Sequence, residues 1–322
     1  MLKLLLHRYF LRYVIEPIKN LFPIDMGSKK SVIFVAGMGR SGTTWVGDLL
    51  NYQDHFRVIF EPFCADKVTE AKGFSSTRYI RTQVNSPELV NFARNVLTGQ
   101  IRSNWTEIKK PGKIYFRRMI KDIRCNLMLL WLNQLCIGMP IVFVVRNPFS
   151  VAASWLQLKN FKEASDFDIL RNQDRLFIDF PVIANALKMI DINDPFERII
   201  WMWAVNHYVP FSQMDELNFY LAVYENLLLE SALYAPCLLE FGCVDYSLEK
   251  VQSILGKPSR ANFLKRDPSL EKEELFNGWR KVFTAKQLKR GQTILSVFGL
   301  ASLYDADGYP LVASFQDIKR YL

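Results

Sequence analysis

The segment VIFVAGMGRSGTTW, Val32 to Trp45, carries the residue types of an anion-binding loop. Gly37, Gly39 and Gly42 allow a tight turn in which successive backbone N–H groups point at one anion. A helix beginning near Gly42 adds the positive end of its dipole. Ser41, Thr43 and Thr44 offer hydroxyl donors, and Arg40 brings a permanent cation. The spacing Gly37-x-x-x-x-Gly42-Thr43-Thr44 keeps both ends of the P-loop pattern but places Thr43 where that pattern has its lysine. A second cation, Arg146, ends the apolar run IVFVV, and Pro148 suits the first turn of a following helix. Ser154 lies eight residues after Arg146, about two helical turns, so both groups can reach one phosphate if the arginine folds back along the helix. A magnesium-dependent P-loop kinase needs an acid at such a strand end. An arginine there repels a metal and attracts phosphate. The pattern predicts a multiply phosphorylated nucleotide held by cations and hydroxyls, with no metal required.

Elements able to position these groups are readable as short apolar runs bounded by turn residues. Strands are expected at Ser31–Ala36, Arg57–Phe60, Ile114–Ile120, Pro140–Val145 and Asn218–Val223. Helical patterns fall between them, at Gly42–Asn51, Pro87–Thr98, Arg124–Ile137, Phe149–Asn160 and Asn226–Phe241. The alternation implies an α/β fold, a P-loop-like central parallel sheet flanked by helices. Asp174–Gln213 reads as wholly helical, a cap or insertion over one sheet edge, and Ala65–Val84 as a loop region near the ligand face. No linker divides residues 31–322, which read as one domain.

The composition narrows the partners. At 322 residues, half of them apolar, the chain can bury a substantial core, and its net charge of +9 suggests an anionic partner. No RGG tract, zinc finger or long basic helix points to nucleic acid. Five cysteines without a CxxC pair, beside three histidines, argue against a zinc site or a disulfide framework and fit a reducing, cytoplasmic compartment. Residues 1–30 open with MLKLLLHRYFLRYVIEPIKNLF, an apolar stretch broken by Lys3, Arg8, Arg12 and Lys19. It reads as an amphipathic basic helix, either docked on the main domain or lying on an anionic membrane surface.

GRSGTTW and RNPFSVAAS resemble the two nucleotide-binding motifs of the sulfotransferases that use 3′-phosphoadenosine 5′-phosphosulfate (PAPS). The resemblance implies that the first motif grips the 5′-phosphosulfate and that Arg146 and Ser154 of the second grip the 3′-phosphate. Val223-Tyr224-Glu225-Asn226-Leu227 resembles that family's YEDL segment, whose tyrosine lies near the adenine. Asn277–Thr284 resembles its C-terminal GDWKNHFT stretch, so the likeness runs from about Ser31 to Leu303. It further implies that Arg40, standing where the cytosolic enzymes have the lysine of KSGTTW, neutralises the departing 5′-phosphate, and that Trp45 stacks on adenine. Lys265 and Arg266 resemble the FxRKG loop that closes on the 3′-phosphate, although Asp267 replaces its glycine.

Sulfuryl transfer to a hydroxyl also needs a group to take the acceptor's proton. The histidine-bearing KxHLP segment of the steroid and phenol enzymes is missing. Phe60-Glu61-Pro62-Phe63 instead resembles the EP segment of carbohydrate sulfotransferases, making Glu61 the candidate base, its pKa raised by an apolar setting. His55 and His207 are rivals. Lys121, after the strand KIYFRRMI, is placed either to assist Arg40 or the acceptor, or to pair with Asp122 on the surface. The expected activity is transfer from PAPS, with adenosine 3′,5′-bisphosphate as product, to a small-molecule or glycan hydroxyl, and the EP segment leans towards that of a carbohydrate or glycolipid. An atypical P-loop nucleotide kinase and a catalytically inactive nucleotide-binding protein are the competing readings.

Overall fold

The structure, a computed structural model, describes residues 23–320 apart from 29, 75–76, 108–112, 159–162, 248, 250 and 252–275. Its frame is a five-stranded sheet, every neighbouring pair parallel. In chain order, β1 (Ile24–Asp25) precedes β2 (Val32–Gly37), α1 (Thr43–Leu50), β3 (Phe56–Phe60), α2 (Pro87–Leu97), β4 (Ile114–Tyr115) and β5 (Arg117–Lys121). Then come α3 (Leu129–Leu135), β6 (Ile141–Val145), α4 (Pro148–Leu156), α5 (Glu163–Arg171), α6 (Asp174–Asp179), α7 (Pro181–Leu187) and α8 (Pro195–Gln213). β7 (Phe219–Val223), α9 (Tyr224–Leu229), α10 (Ser231–Phe241), α11 (Ala285–Val297) and α12 (Phe315–Ile318) complete the series.

The sheet order is β3-β5-β2-β6-β7, with β1 and β4 forming a separate parallel pair. VIFVAG and IVFVV are buried along their whole length, as strands covered on both faces must be. One face buries Phe34, Ile120, Ile141, Phe143 and Val145 among residues of α2, α3, α4 and α8. The other buries Ile33, Val35, Met119, Val142 and Val144 against α1, α9 and α10. From β2 the chain turns towards β3 on one side, whereas from β6 it continues to β7 on the other. The carboxyl ends of β2 and β6, hydrogen-bonded neighbours, therefore flank the switch point where such sheets bind ligands.

Two expectations are corrected, and a third falls largely outside the described residues. The stretch Asp174–Gln213 is broken after Asp179 and Leu187, each following helix opening on a proline, Pro181 and Pro195. Nor does its longest part sit over an edge. α8 lies on the sheet face, with Phe143 of β6 meeting His207 and Phe211 at ring distances of 5.5 and 5.8 Å. Of the helix expected over residues 1–30, residues 1–22 lie outside the described part, and Ile24–Asp25 is strand, paired with Ile114–Tyr115. Asp25 belongs to the main body, ion-paired with Arg57 and Arg118 at 2.6 Å each.

Candidate active site

The phosphate loop leaves β2 through Gly37, whose φ of 146° is open to glycine, and reaches α1 through Arg40 at φ 72° and Gly42 at φ 91°. The glycine at 42 is doubly required. A β carbon there would lie 2.4 Å from Cδ2 of Tyr224. Three contacts shape the loop: Ser41 N–H donates to Met38 O (3.1 Å), Gly37 N–H to Asn126 Oδ1 (3.1 Å) and Trp155 Nε1 to Gly39 O (2.9 Å). Val46 N–H donates to Gly42 O at 3.0 Å, so the amides of Thr43, Thr44 and Trp45 have no carbonyl one turn back. They are the donors that a helix start leaves outside its own ladder.

The second motif begins where β6 ends. Asn147 caps α4, its Oδ1 accepting from Phe149 N–H (2.9 Å) and Ser150 N–H (3.2 Å). Arg146 Nη1 donates to Arg40 O at 3.1 Å, and its guanidinium lies 4.6 Å from the Tyr224 ring centre. Ser154 Oγ accepts from Arg40 Nε at 2.9 Å. The cation assigned to the first motif and the hydroxyl assigned to the second are thus in direct contact. Tyr224 also meets Trp45 edge-on, with ring centres 5.4 Å apart. Trp279 of the C-terminal stretch stacks on Phe149 of α4 at 5.2 Å.

Behind Arg146 stands Glu225, a buried carboxyl that sequence reading did not single out. It accepts from Asn147 N–H (2.9 Å) and from the Tyr304 hydroxyl (3.1 Å). Burial pushes its pKa up, against the pull of Arg146. Two polar atoms at the cradle are buried without a partner among the described residues, Ser41 Oγ and Arg146 Nε. Leaving such groups unmade costs about 1–3 kcal/mol each. A hydroxyl and a guanidinium nitrogen are both donors, so this pair fits an anionic group.

Glu61 follows β3 at φ 43°, a left-handed conformation rare for a non-glycine residue. The expected apolar setting is not what surrounds its carboxylate. Phe63 turns away into a cluster with Phe74 and Phe92, while Glu61 Oε1 accepts from Lys121 Nζ at 2.6 Å and Oε2 from Arg124 Nη1 at 2.7 Å. Burial alone would push the carboxyl up. The two cations more than offset it and hold the pKa below its ordinary value, the reverse of the expectation. Lys121 and Asp122 do not pair at the surface either. Both are buried, and Asp122 accepts instead from the backbone amides of Phe63 (2.9 Å) and Arg124 (2.8 Å). Arg124 was missed because only the fold brings it across 63 positions to Glu61. The one available signal was a second cation close behind Lys121 in KDIR.

Of the rival bases, His207 is fully buried, stacked 3.9 Å from Trp203, with Nδ1 2.7 Å from Trp203 O. Burial lowers its pKa to about 3, and it belongs to the core. His55 is exposed in the turn before β3. Lys265 and Arg266 lie outside the described residues.

No protein-family model and no curated protein matches the chain. Among solved structures it is similar to mouse sulfotransferase SULT7A1 complexed with PAP, with TM-score 0.44, 13% identity, and coverage of 92% of this chain and 89% of that one. It is similar also to the sulfotransferase domain from the curacin biosynthetic pathway, with TM-score 0.45, 15% identity, and coverage of 86% and 98%. A third is retinol dehydratase in complex with androsterone and the inactive cofactor PAP, with TM-score 0.40, 16% identity, and coverage of 85% and 82%. With TM-scores this low, function rests on the residues of the site.

Proposed function

We propose that this chain is a PAPS-dependent sulfotransferase acting on an acceptor hydroxyl of a carbohydrate or glycolipid. The observation that supports it most directly is the joining of two motifs, 114 residues apart at Arg40 and Ser154, into one cradle at the sheet's switch point. Buried donors at Ser41 and Arg146 await an anion there. Five unpaired cysteines accord with a reducing, cytoplasmic setting, and the Glu61-Pro62 segment is what favours a sugar acceptor.

When bound, the donor supplies an electrophilic sulfuryl group and a 5′-phosphate that leaves with its negative charge. The amides of Thr43 and Thr44, their hydroxyls and Ser41 would hold the 5′ end, with Gly39 and Gly42 keeping the backbone close. Arg40 neutralises the charge that develops there, a preorganised electrostatic role. Arg146 and Ser154 hold the 3′-phosphate, and Trp45 and Tyr224 flank the adenine. Glu61 accepts the acceptor's proton on a carboxylate oxygen. Each oxygen already serves one cation, yet an ionised carboxylate offers about four lone-pair sites. Because its pKa is held low, Glu61 is ionised at neutral pH, and its contribution is placement rather than strong basicity. Lys121 and Arg124 steady it and place positive charge beside the reacting groups.

Calorimetric titration of the wild type and Arg146→Ala with adenosine 3′,5′-bisphosphate, ADP and ATP–magnesium tests this reading. The 3′,5′-bisphosphate should bind best, and the variant should lose that preference. Preference for ATP–magnesium, indifferent to a 3′-phosphate, would instead favour the kinase. Binding without transfer of labelled sulfuryl to any of a panel of glycans, glycolipids, phenols and alcohols would favour the inactive protein.

A further inference from the structure

Asp122 is the most deeply buried acid near the site, with no exposed surface. Its carboxylate bonds to backbone amides of the two segments that meet at Glu61. Oδ2 accepts from Phe63 N–H, two residues past Glu61, at 2.9 Å. Oδ1 accepts from the N–H of Arg124, the residue whose side chain holds Glu61 Oε2, at 2.8 Å. The backbone continues the same knot. Asp122 N–H donates to Val35 O of β2 at 3.0 Å, and Glu61 N–H donates to Lys121 O at 2.7 Å. The next residue, Ile123, sits so close to the phosphate loop that a β carbon at Gly39 would lie 3.3 Å from its Cδ1. Asp122 therefore ties the Glu61 turn and the Arg124 turn together through its carboxylate, and both to β2 through its backbone N–H. The left-handed backbone of Glu61 is the kind of conformation that persists only when its surroundings over-determine it.

We propose that Asp122 is a positioning residue for the transfer reaction, holding the carboxylate of Glu61 in register with Arg124 and with the phosphate loop. The inference rests on the reading of Glu61 as the base. Asp122→Asn keeps size and one acceptor but turns the other oxygen into an NH2 group, which cannot accept. Either Phe63 or Arg124 then loses its amide partner, and the turn that presents Glu61 loosens.

The test uses the full chain and two readouts. In the first, Glu61 is titrated by NMR of carboxyl-labelled glutamate, its resonance assigned by loss in Glu61→Gln. The groups facing Glu61 are Lys121, Arg124, Asp122, Cys64 and Cys125. In Asp122→Asn the Glu61 midpoint should rise by about one pH unit. Loss of the neighbouring Asp122 charge would by itself lower that midpoint, so the expected rise reads the weakened hold of Lys121 and Arg124 against burial. In the second, labelled sulfuryl transfer is read with the best acceptor from a panel of methyl glycosides, phenols and alcohols. Turnover in Asp122→Asn should fall about 10- to 100-fold, with affinity for adenosine 3′,5′-bisphosphate within about twofold. In a Glu61→Gln background the same substitution should cost nothing further, because coupled residues are non-additive.

A lowered or unmoved midpoint with unchanged turnover overturns the proposal. So does an equal loss in the Glu61→Gln background, and so does loss of nucleotide binding, which would make Asp122 a general prop of the fold. The two readings fail separately. Full turnover in Glu61→Gln removes the base assignment, whereas impaired Glu61→Gln beside a normal Asp122→Asn removes only the role of Asp122.

Discussion

Glu61→Gln removes one charge from a buried pair of contacts, and its cost can be worked from the site. Lys121 is 5% exposed and Glu61 8%, and their 2.6 Å contact has little water to replace it. Arg124, 22% exposed, can recover more of its hydration. Breaking a buried pair by removing one partner costs about 3–5 kcal/mol. The amide carbonyl of glutamine can still accept one hydrogen bond, which places this case near the lower end, about 3 kcal/mol. At roughly 2–4 °C per kcal/mol for a large domain, the melting temperature should fall by about 6–12 °C. The pH dependence has a definite sign. The folded-state pKa of Glu61 is held below its ordinary value, so its contribution is fully present above the unfolded pKa of about 4.3 and is lost as pH falls through the lower folded value. Urea unfolding of both proteins at pH 7 should show the full difference, and at pH 3 a smaller one. Turnover should drop about 10²- to 10⁴-fold, with adenosine 3′,5′-bisphosphate binding retained. A stability difference as large at pH 3 as at pH 7 would refute the ion-pair reasoning. Unchanged turnover would refute the base.

Arg146→Ala, which removes a cation and its contacts with Arg40 O and the Tyr224 ring, should weaken adenosine 3′,5′-bisphosphate binding about 10- to 100-fold by calorimetry. Gly42→Ala forces φ 91° on a residue with a β carbon and drives it into Tyr224. It should cost about 1–2 kcal/mol in strain alone and abolish nucleotide binding at concentrations that saturate the wild type. Tyr304→Phe strips a hydroxyl from the buried Glu225 carboxyl and should destabilise by about 1–3 kcal/mol in urea titrations. His207, with a pKa lowered to about 3, should make the wild type lose about 1.4 kcal/mol of stability per pH unit as pH falls from 6.5 towards 3. His207→Phe should lack that component in the same unfolding series.

The strands were legible because a sheet buried on both faces writes itself as uninterrupted apolar runs. Val32–Gly37 and Ile141–Val145 fall within a residue of the expected bounds. The strand–turn–helix form of the two motifs was legible for a similar reason, since loop, helix start and cation lie in one short stretch. What escaped was set by contacts distant in sequence. The run Ile114–Ile120 reads as one strand, yet Ile114–Tyr115 pairs with β1 while Arg117–Lys121 joins the main sheet. Asn226–Phe241 reads as one helix, but Tyr224–Leu229 and Ser231–Phe241 are separate, divided at Glu230. Glu61 was singled out and its environment misjudged, because the neighbours in sequence are phenylalanines whereas the neighbours in space are Lys121 and Arg124. Asp122 was read only as a surface partner of Lys121, and Glu225 was not singled out, since a carboxyl that serves backbone amides leaves no pattern in composition or spacing.

Arg40 and Glu61 share a property that bears on the protein's history. Both are non-glycine residues with left-handed backbones, at φ 72° and 43°. Glycine takes such torsions without steric penalty. A chain screened only for folding would therefore drift to glycine or asparagine at 40, where the torsion costs about 1–2 kcal/mol, but would keep Glu61, whose buried contacts with Lys121 and Arg124 outweigh the torsion. Deep mutational scans read once by abundance and once by activity should part company more sharply at 40 than at 61. Descendants that keep the nucleotide but have lost the reaction should be recognisable by glycine at 40.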